Sequence, residues 1–146
     1  MARESLGPRI ASIYELQSMW LEPRLKGIGV SWGTFQLLTA IEGTGERASQ
    51  AEVARRLGVT PATLSETVHT HLKLGLLTQK NDVADRRVKI LVLTDAGKEK
   101  MRGIRRLIAE LENAMTRGLS DRSLQTVAAT LDQVGENLAS GEEASV

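Results

Sequence analysis

The run Leu57-Gly58-Val59-Thr60-Pro61 leaves the chain one tight turn in which to finish one helix and start the next. Gly58 suits the left-handed residue just past a helix end. Thr60 can cap the following helix with its hydroxyl, and Pro61 stands at the first helical position, where an amide proton has no partner to lose. Upstream, Ser49-Gln50-Ala51-Glu52 fits a capping box, serine hydroxyl to the third amide and glutamate carboxylate back to the first. Val53 and Leu57 form the apolar stripe of that helix. After Pro61, the residues Leu64, Val68 and Leu72 recur at every fourth position and are expected to bury. Helix, glycine-containing turn, helix at this spacing is a helix-turn-helix.

The second of these helices presents a different face outward. Ala62, Thr63, Ser65, Glu66, His69, Thr70 and Lys73 lie away from the apolar stripe. Most are short side chains that donate or accept hydrogen bonds. Gly75 stops the helix, and Leu76 to Lys80 reads as a strand. A polar loop, 81–86, precedes a β-rich run from Arg87 to Leu93 in which Val88, Ile90 and Val92 alternate with Lys89, Leu91 and Leu93. Two strands around a short charged loop, directly after a helix-turn-helix, make a wing. The predicted fold is mainly α with a small β-wing: a winged helix-turn-helix with N- and C-terminal dimerisation helices.

Charge follows the same division. Residues 48–93 carry seven basic and four acidic side chains, against five and five before them and seven and nine after. The positive excess sits on the predicted wing and helix pair, as a duplex-DNA ligand requires. The helix from Pro61 would enter the major groove N-terminus first, its free amides and dipole favouring a phosphate. Thr63, Ser65, Glu66 and His69 are placed for base edges, with Thr60, Thr70 and Lys73 nearer the backbone, and Ala62 belongs to the same DNA-binding set. Ser49 and Gln50, at the start of the preceding helix, join the predicted DNA-binding set. Arg86 and Arg87 would reach the minor groove beside Asp85, and Lys80 and Lys89 would add phosphate contacts. The plain alternatives are a solvated helix face and an ordinary charged hairpin.

The flanks read as helix. Ile10, Ile13, Leu16 and Trp20 share one face of a first helix from Pro8, which Pro23 is expected to end or kink. Gly27 and Gly29 mark a turn, and Ser31 caps a second helix from Trp32 to Ile41, buried through Trp32, Phe35, Leu38 and either Ile41 or Leu37, and closed by Gly43 and Gly45. Thr94 opens a long helix to about Thr116 with Met101, Ile104, Ile108, Leu111 and Met115 at alternating steps of three and four; Gly118 ends it. Ser120 caps the last helix, where Leu124, Val127, Leu131, Val134 and Leu138 repeat the pattern. Such seams pair with each other or with a second copy. The central stretch is too small to cover both, which favours a homodimer. The division expected is residues 1–30 as an N-terminal dimerisation helix, 31–94 as the DNA-binding lobe, 95–139 as C-terminal dimerisation helices and 140–146 as a disordered tail.

Composition narrows the functional classes. The chain has no cysteine and two histidines, His69 and His71, which sit two apart and face different ways on a helix. No metal site, cofactor or catalytic Ser/His/Asp set is expected, and the protein is not expected to be an enzyme. His71 reads as a core or edge residue. No apolar run approaches the roughly 20 residues of a membrane span, and no signal-peptide core appears, so a cytoplasmic protein is expected. Met19, Trp20 and Trp32 are a candidate ligand site, although the same residues would make a normal core.

Three motifs in order then carry a resemblance: Gly75-Leu76-Leu77 after the second helix, Asp85-Arg86-Arg87 in the loop, and Leu93-Thr94-Asp95-Ala96-Gly97. Together with the run Ser49–Val59, they resemble the MarR family of winged helix-turn-helix transcriptional regulators, over roughly residues 8 to 138. The resemblance implies an obligate homodimer with interdigitating terminal helices. It implies a repressor on a pseudo-palindromic operator, released by a small aromatic or phenolic effector. It places the minor-groove role on Arg87, with Asp85 orienting an arginine. Glu66 departs from the family pattern, which often has arginine there; a carboxylate repels phosphate and can accept from a cytosine amino group. His71 stands where a leucine usually closes the helix. The alternatives are a winged-helix module that binds protein or is controlled by a protein partner, and a small-ligand carrier.

Overall fold

The computed structural model describes residues 4–143. The elements run α1 (Gly7–Gly27), α2 (Trp32–Thr44), α3 (Gln50–Leu57), α4 (Pro61–Lys73), β1 (Leu77–Asn81), β2 (Lys89–Leu93), α5 (Asp95–Thr116) and α6 (Asp121–Glu143). Contacts divide the chain into two compact units, one ending at Leu111 and the other beginning at Glu112, so the boundary falls inside α5. No helix among the described residues is long and apolar enough to cross a membrane.

Local start signals place most helices. Ser31, Ser49 and Thr60 each accept a hydrogen bond from the amide three residues on, at 3.1, 3.2 and 3.2 Å. Thr94 and Ser120 do the same at 3.1 Å each. Gly58, at φ 64°, closes α3 in the left-handed conformation. The capping box at Ser49 is only half made, because the Glu52 carboxylate pairs with Arg55 and not with the Ser49 amide.

Several boundaries differ from the sequence expectation. Pro23 does not end α1: Leu21 and Leu25, on either side of it, are both buried, and that burial offsets the single lost helical bond. Helix α2 passes through Gly43 and ends at Gly45, φ 96°. Helix α6 continues through Ser140 to Glu143, where a loose tail was expected; residues 144–146 lie outside the described residues.

Two apolar clusters fill the first unit. Leu37, Ile41, Ala48, Val53, Leu64, Val68, Leu77 and Leu91 hold α2, α3, α4 and the wing together. Leu21, Leu25, Val30, Leu38, Met101, Ile104 and Leu107 bind α1 and α2 to the first half of α5. Helix α2 serves both clusters, so its buried face is wider than predicted and takes in Thr34 and Ala40, while Trp32 and Phe35 are only half-buried. Leu72 is also only partly buried. In α5 the covered residue is Leu107, and Ile108 faces solvent.

The wing is antiparallel, with Leu77 opposite Leu93, Gln79 opposite Leu91 and Asn81 opposite Lys89. A third segment joins it: the Leu91 amide donates to the Ala48 carbonyl at 2.9 Å, and Ser49 bridges Ile90. Strand β2 therefore lies between two partners. Ile90 and Leu91, on opposite faces, are both buried, which breaks the simple alternation expected.

Helix α5 grows directly from the end of this lobe. The Thr94 hydroxyl donates to the Gly75 carbonyl at 2.6 Å and the Thr94 amide to the Leu76 carbonyl at 3.1 Å. Gly97 is buried, and a Cβ there would fall on the Leu76 carbonyl oxygen, so only glycine lets the two backbones approach this closely.

Candidate nucleic-acid interface

Helix α4 is anchored by its apolar stripe. Leu64 and Val68 are 1% and 2% exposed, which fixes which face looks outward. Ala62, Ser65, Glu66, His69 and Lys73 then follow one another along the exposed side. Ser65, Glu66, His69 and Lys73 make no side-chain hydrogen bond or ion pair within the described chain, so their polar atoms are spare for a ligand. The threonines are partly committed. Thr60 caps the helix and its hydroxyl donates to the Thr63 hydroxyl at 3.0 Å, leaving Thr63 its own proton to donate outward. The Thr70 hydroxyl donates to the Glu66 carbonyl at 3.2 Å and keeps only acceptor capacity.

At the wing, Asp85 organises the loop. Its carboxylate accepts from Arg87 Nε at 3.1 Å, Arg87 Nη2 at 3.0 Å and the Arg87 amide at 3.1 Å. This fork holds the Asp85 carboxyl below its ordinary range and raises the Arg87 guanidinium above its own. The Arg87 side chain is still 91% exposed. The arginine is thus aimed without being buried, which lowers the entropy lost when it meets a second anion. Arg86, Lys80 and Lys89 are exposed beside it. A cleft lined by Gln50, Ala51, Pro61, Arg87, Val88 and Lys89 joins the starts of α3 and α4 to the base of the wing.

Two predicted contact residues have structural duties. The Ser49 hydroxyl is occupied by its cap, and the Gln50 side-chain Oε1 accepts from Gln79 Nε2 at 2.7 Å, tying α3 to β1. Of the predicted ligand trio, Trp20 and Trp32 pack against the same apolar cluster, as the ordinary-core alternative expects. Only Trp32 lines the cleft of about 620 Å3 between the end of α1 and the start of α2. Met19 is exposed, and Trp20 lies under the Arg24 guanidinium, 3.8 Å from its ring centroid. Met19 shares the helical face of Glu22, Pro23 and Lys26 but stands one turn before the residues that line the cleft.

The sequence reading missed the ties that hold the wing. Asp82, expected in an open polar loop, is buried and pairs with Arg47 from the α2–α3 connection. Arg105 of α5 pairs with Glu42 of α2, which raises the Arg105 guanidinium above its usual value. No local signal marks either pair, since their members lie 35 and 63 residues apart.

Residues 28–88, which span α2, α3, α4 and the wing loop, match the MarR family model. This segment is similar to the MarR family. The likeness in fold extends beyond it. The crystal structure of transcriptional regulator PA3341 is 23% identical, with a TM-score of 0.82 over 92% of this chain and 98% of that one. The S. aureus MepR–DNA complex is 17% identical, with a TM-score of 0.78 over 92% of this chain and 99% of its own. CouR from Rhodococcus jostii RHA1, bound to p-coumaroyl-CoA, is 18% identical, with a TM-score of 0.77 over 90% and 92%. At these identities the structures establish that α1, α5 and α6 flank the MarR segment in a shared fold.

Proposed function

We propose that the protein is a homodimeric, sequence-specific DNA-binding transcriptional regulator, a repressor released from its operator by a small ligand. The observation that carries this is the outward face of α4. Four polar side chains there are exposed and unbonded on a helix whose other face is locked into the core, beside a wing that aims Arg87. Thr63, Ser65, Glu66 and His69 read base edges in the major groove. Thr60, Thr70 and Lys73 meet the backbone, Arg87 enters the minor groove, and Lys80 and Lys89 contact phosphates. The S. aureus relative of this fold is held in a complex with DNA, which supports the reading.

The dimer rests on exposed apolar rows. Ile10, Ile13 and Leu16 on α1 are 41%, 50% and 60% exposed, and Val127, Leu131 and Leu138 on α6 are 52%, 48% and 71% exposed. Single exposed leucines need no explanation, but helical rows of them mark an interface. A second copy covers them and sets two α4 helices about 34 Å apart, one turn of duplex. The CouR complex with p-coumaroyl-CoA supports release by a small organic ligand.

A mobility shift with the DNA upstream of the protein's own gene, across a salt series, tests the reading. A specific complex whose log affinity falls linearly with log salt is expected. Equal affinity for that DNA and a scrambled duplex would overturn it. A screen of small aromatic acids for loss of the shift tests the release step.

A further inference from the structure

His71 lies on the last turn of α4, on the opposite side from the DNA-facing residues, and is 6% exposed. Its ring is fully bonded. Nδ1 stands 2.7 Å from the Thr67 carbonyl, an acceptor only, so Nδ1 carries the proton. Nε2, 2.9 Å from the Thr34 hydroxyl, is then the acceptor, and Thr34 donates to it. Thr34, 7% exposed on α2, spends its only hydroxyl proton there and accepts from the Ser31 hydroxyl at 2.9 Å. Ser31 in turn caps α2 and lines the cleft with Glu22, Pro23, Lys26, Val30 and Trp32.

The line therefore has one direction, from Ser31 to Thr34 to His71 to the Thr67 carbonyl of α4. Each hydroxyl has one proton, so a change at one end is felt at the next member. Neither of the ion pairs that join elements of this unit, Arg47–Asp82 and Arg105–Glu42, includes His71. Beyond apolar packing, this is the polar tie, among the described residues, between the cleft and the helix proposed to read DNA.

We propose that Ser31–Thr34–His71 is a positioning line that couples occupancy of the cleft at the start of α2 to the placement of α4. A ligand with a hydrogen-bond acceptor in that cleft, near Lys26, draws the Ser31 proton away from Thr34. The Thr34 hydroxyl loses its donor and becomes free to turn from His71, and α4 loses its polar anchor on α2. Thr34, His71 and Ser31 are positioning residues in this account, and none of them touches DNA. The proposal rests on α4 being the DNA-reading helix only in its consequence; the coupling itself is a property of the free protein.

The test uses the full chain without DNA. Nitrogen chemical shifts of the His71 ring are expected to show the Nδ1–H tautomer alone. Ser31→Gly removes the hydroxyl with little loss of capping. It is expected to move the Nε2 resonance although Ser31 does not touch His71, and to speed amide exchange in α4 severalfold. Thr34→Val, close in shape, is expected to keep the Nδ1–H tautomer, move the Nε2 resonance further and speed that exchange about tenfold or more, while Thr34→Ser restores both. If Thr34→Val does not fold, Ser31→Gly and Thr34→Ser still decide. His71 signals and α4 exchange indifferent to Ser31→Gly, or Thr34→Ser behaving as Thr34→Val does, would overturn the proposal. A mobility shift on the same variants separates the two readings: a coupling seen by exchange with no operator binding in any variant leaves the line intact and removes the DNA reading.

Discussion

The helix-turn-helix lobe and the terminal helices solve burial in opposite ways. In the lobe, Leu37, Val53, Leu64, Val68, Leu77 and Leu91 are each at most 2% exposed, contributed by α2, α3, α4 and both strands. It closes its own core. Helix α6 has apolar residues at the same helical spacing, yet none of its described residues is buried and Val127, Leu131 and Leu138 are about half exposed or more. The same periodicity thus has two meanings. A stripe of three residues on a short helix, met by four neighbouring segments, becomes core. A stripe of five on a long helix outruns what its own chain offers. The lobe is expected to be stable by its own packing, and the terminal helices to depend on a second copy.

Three changes break or sharpen that contrast. Replacing Val127 and Leu131 together by aspartate should have the largest effect. Each apolar side chain fully covered in an interface contributes ~1.5–3 kcal/mol, so the paired change should weaken dimerisation by well over a hundredfold. Sedimentation at micromolar concentration reads this, and amide exchange in α4 should be little changed. A dimer that survives would refute the assignment of that row. Second, Leu64→Ala should cost about 2–5 kcal/mol of unfolding free energy, measured by denaturant titration, because the site is closed on all sides. Leu138→Ala, at 71% exposure in the single chain, should cost a monomeric form less than ~0.5 kcal/mol. Third, Arg87→Ala should weaken operator binding about ten- to a hundredfold at fixed salt while leaving the melting temperature unchanged, since the side chain is exposed. Unchanged affinity would remove the wing from the mechanism. Asp85→Asn should fall between Arg87→Ala and the unaltered protein, because it frees the arginine without deleting it.

What could be read in advance follows from how local each signal is. The caps at Ser31, Ser49, Thr60, Thr94 and Ser120 were legible because a hydroxyl and the amide it bonds are three residues apart. That Asp85 orients an arginine came from the family resemblance, and the structure makes the pair with Arg87, two residues on. Pro23 misled because the rule that proline stops a helix ignores what lies beyond it, and here Leu25 is drawn into the core. Arg47–Asp82, Gln50–Gln79 and Thr34–His71 join residues far apart in the chain. Nothing in the vicinity of either partner names the other. His71 could be assigned to the interior from its place on α4, but its bond to α2 could not. Among the candidate site residues, the outward position of Ser65, Glu66, His69 and Lys73 could be read from the apolar stripe opposite them.

The bare crossing at Gly97 carries a mechanical implication. With no side chain between the start of α5 and the Leu76 carbonyl, and with Thr94 clasping Gly75 and Leu76, the long helix is welded to the segment that leaves α4. A joint without padding transmits tilt without backlash. Whatever fixes the angle of the first half of α5 therefore also fixes the heading of the lobe that hangs from it, so in the proposed dimer the reach between lobes would be governed at this root and not at the wing.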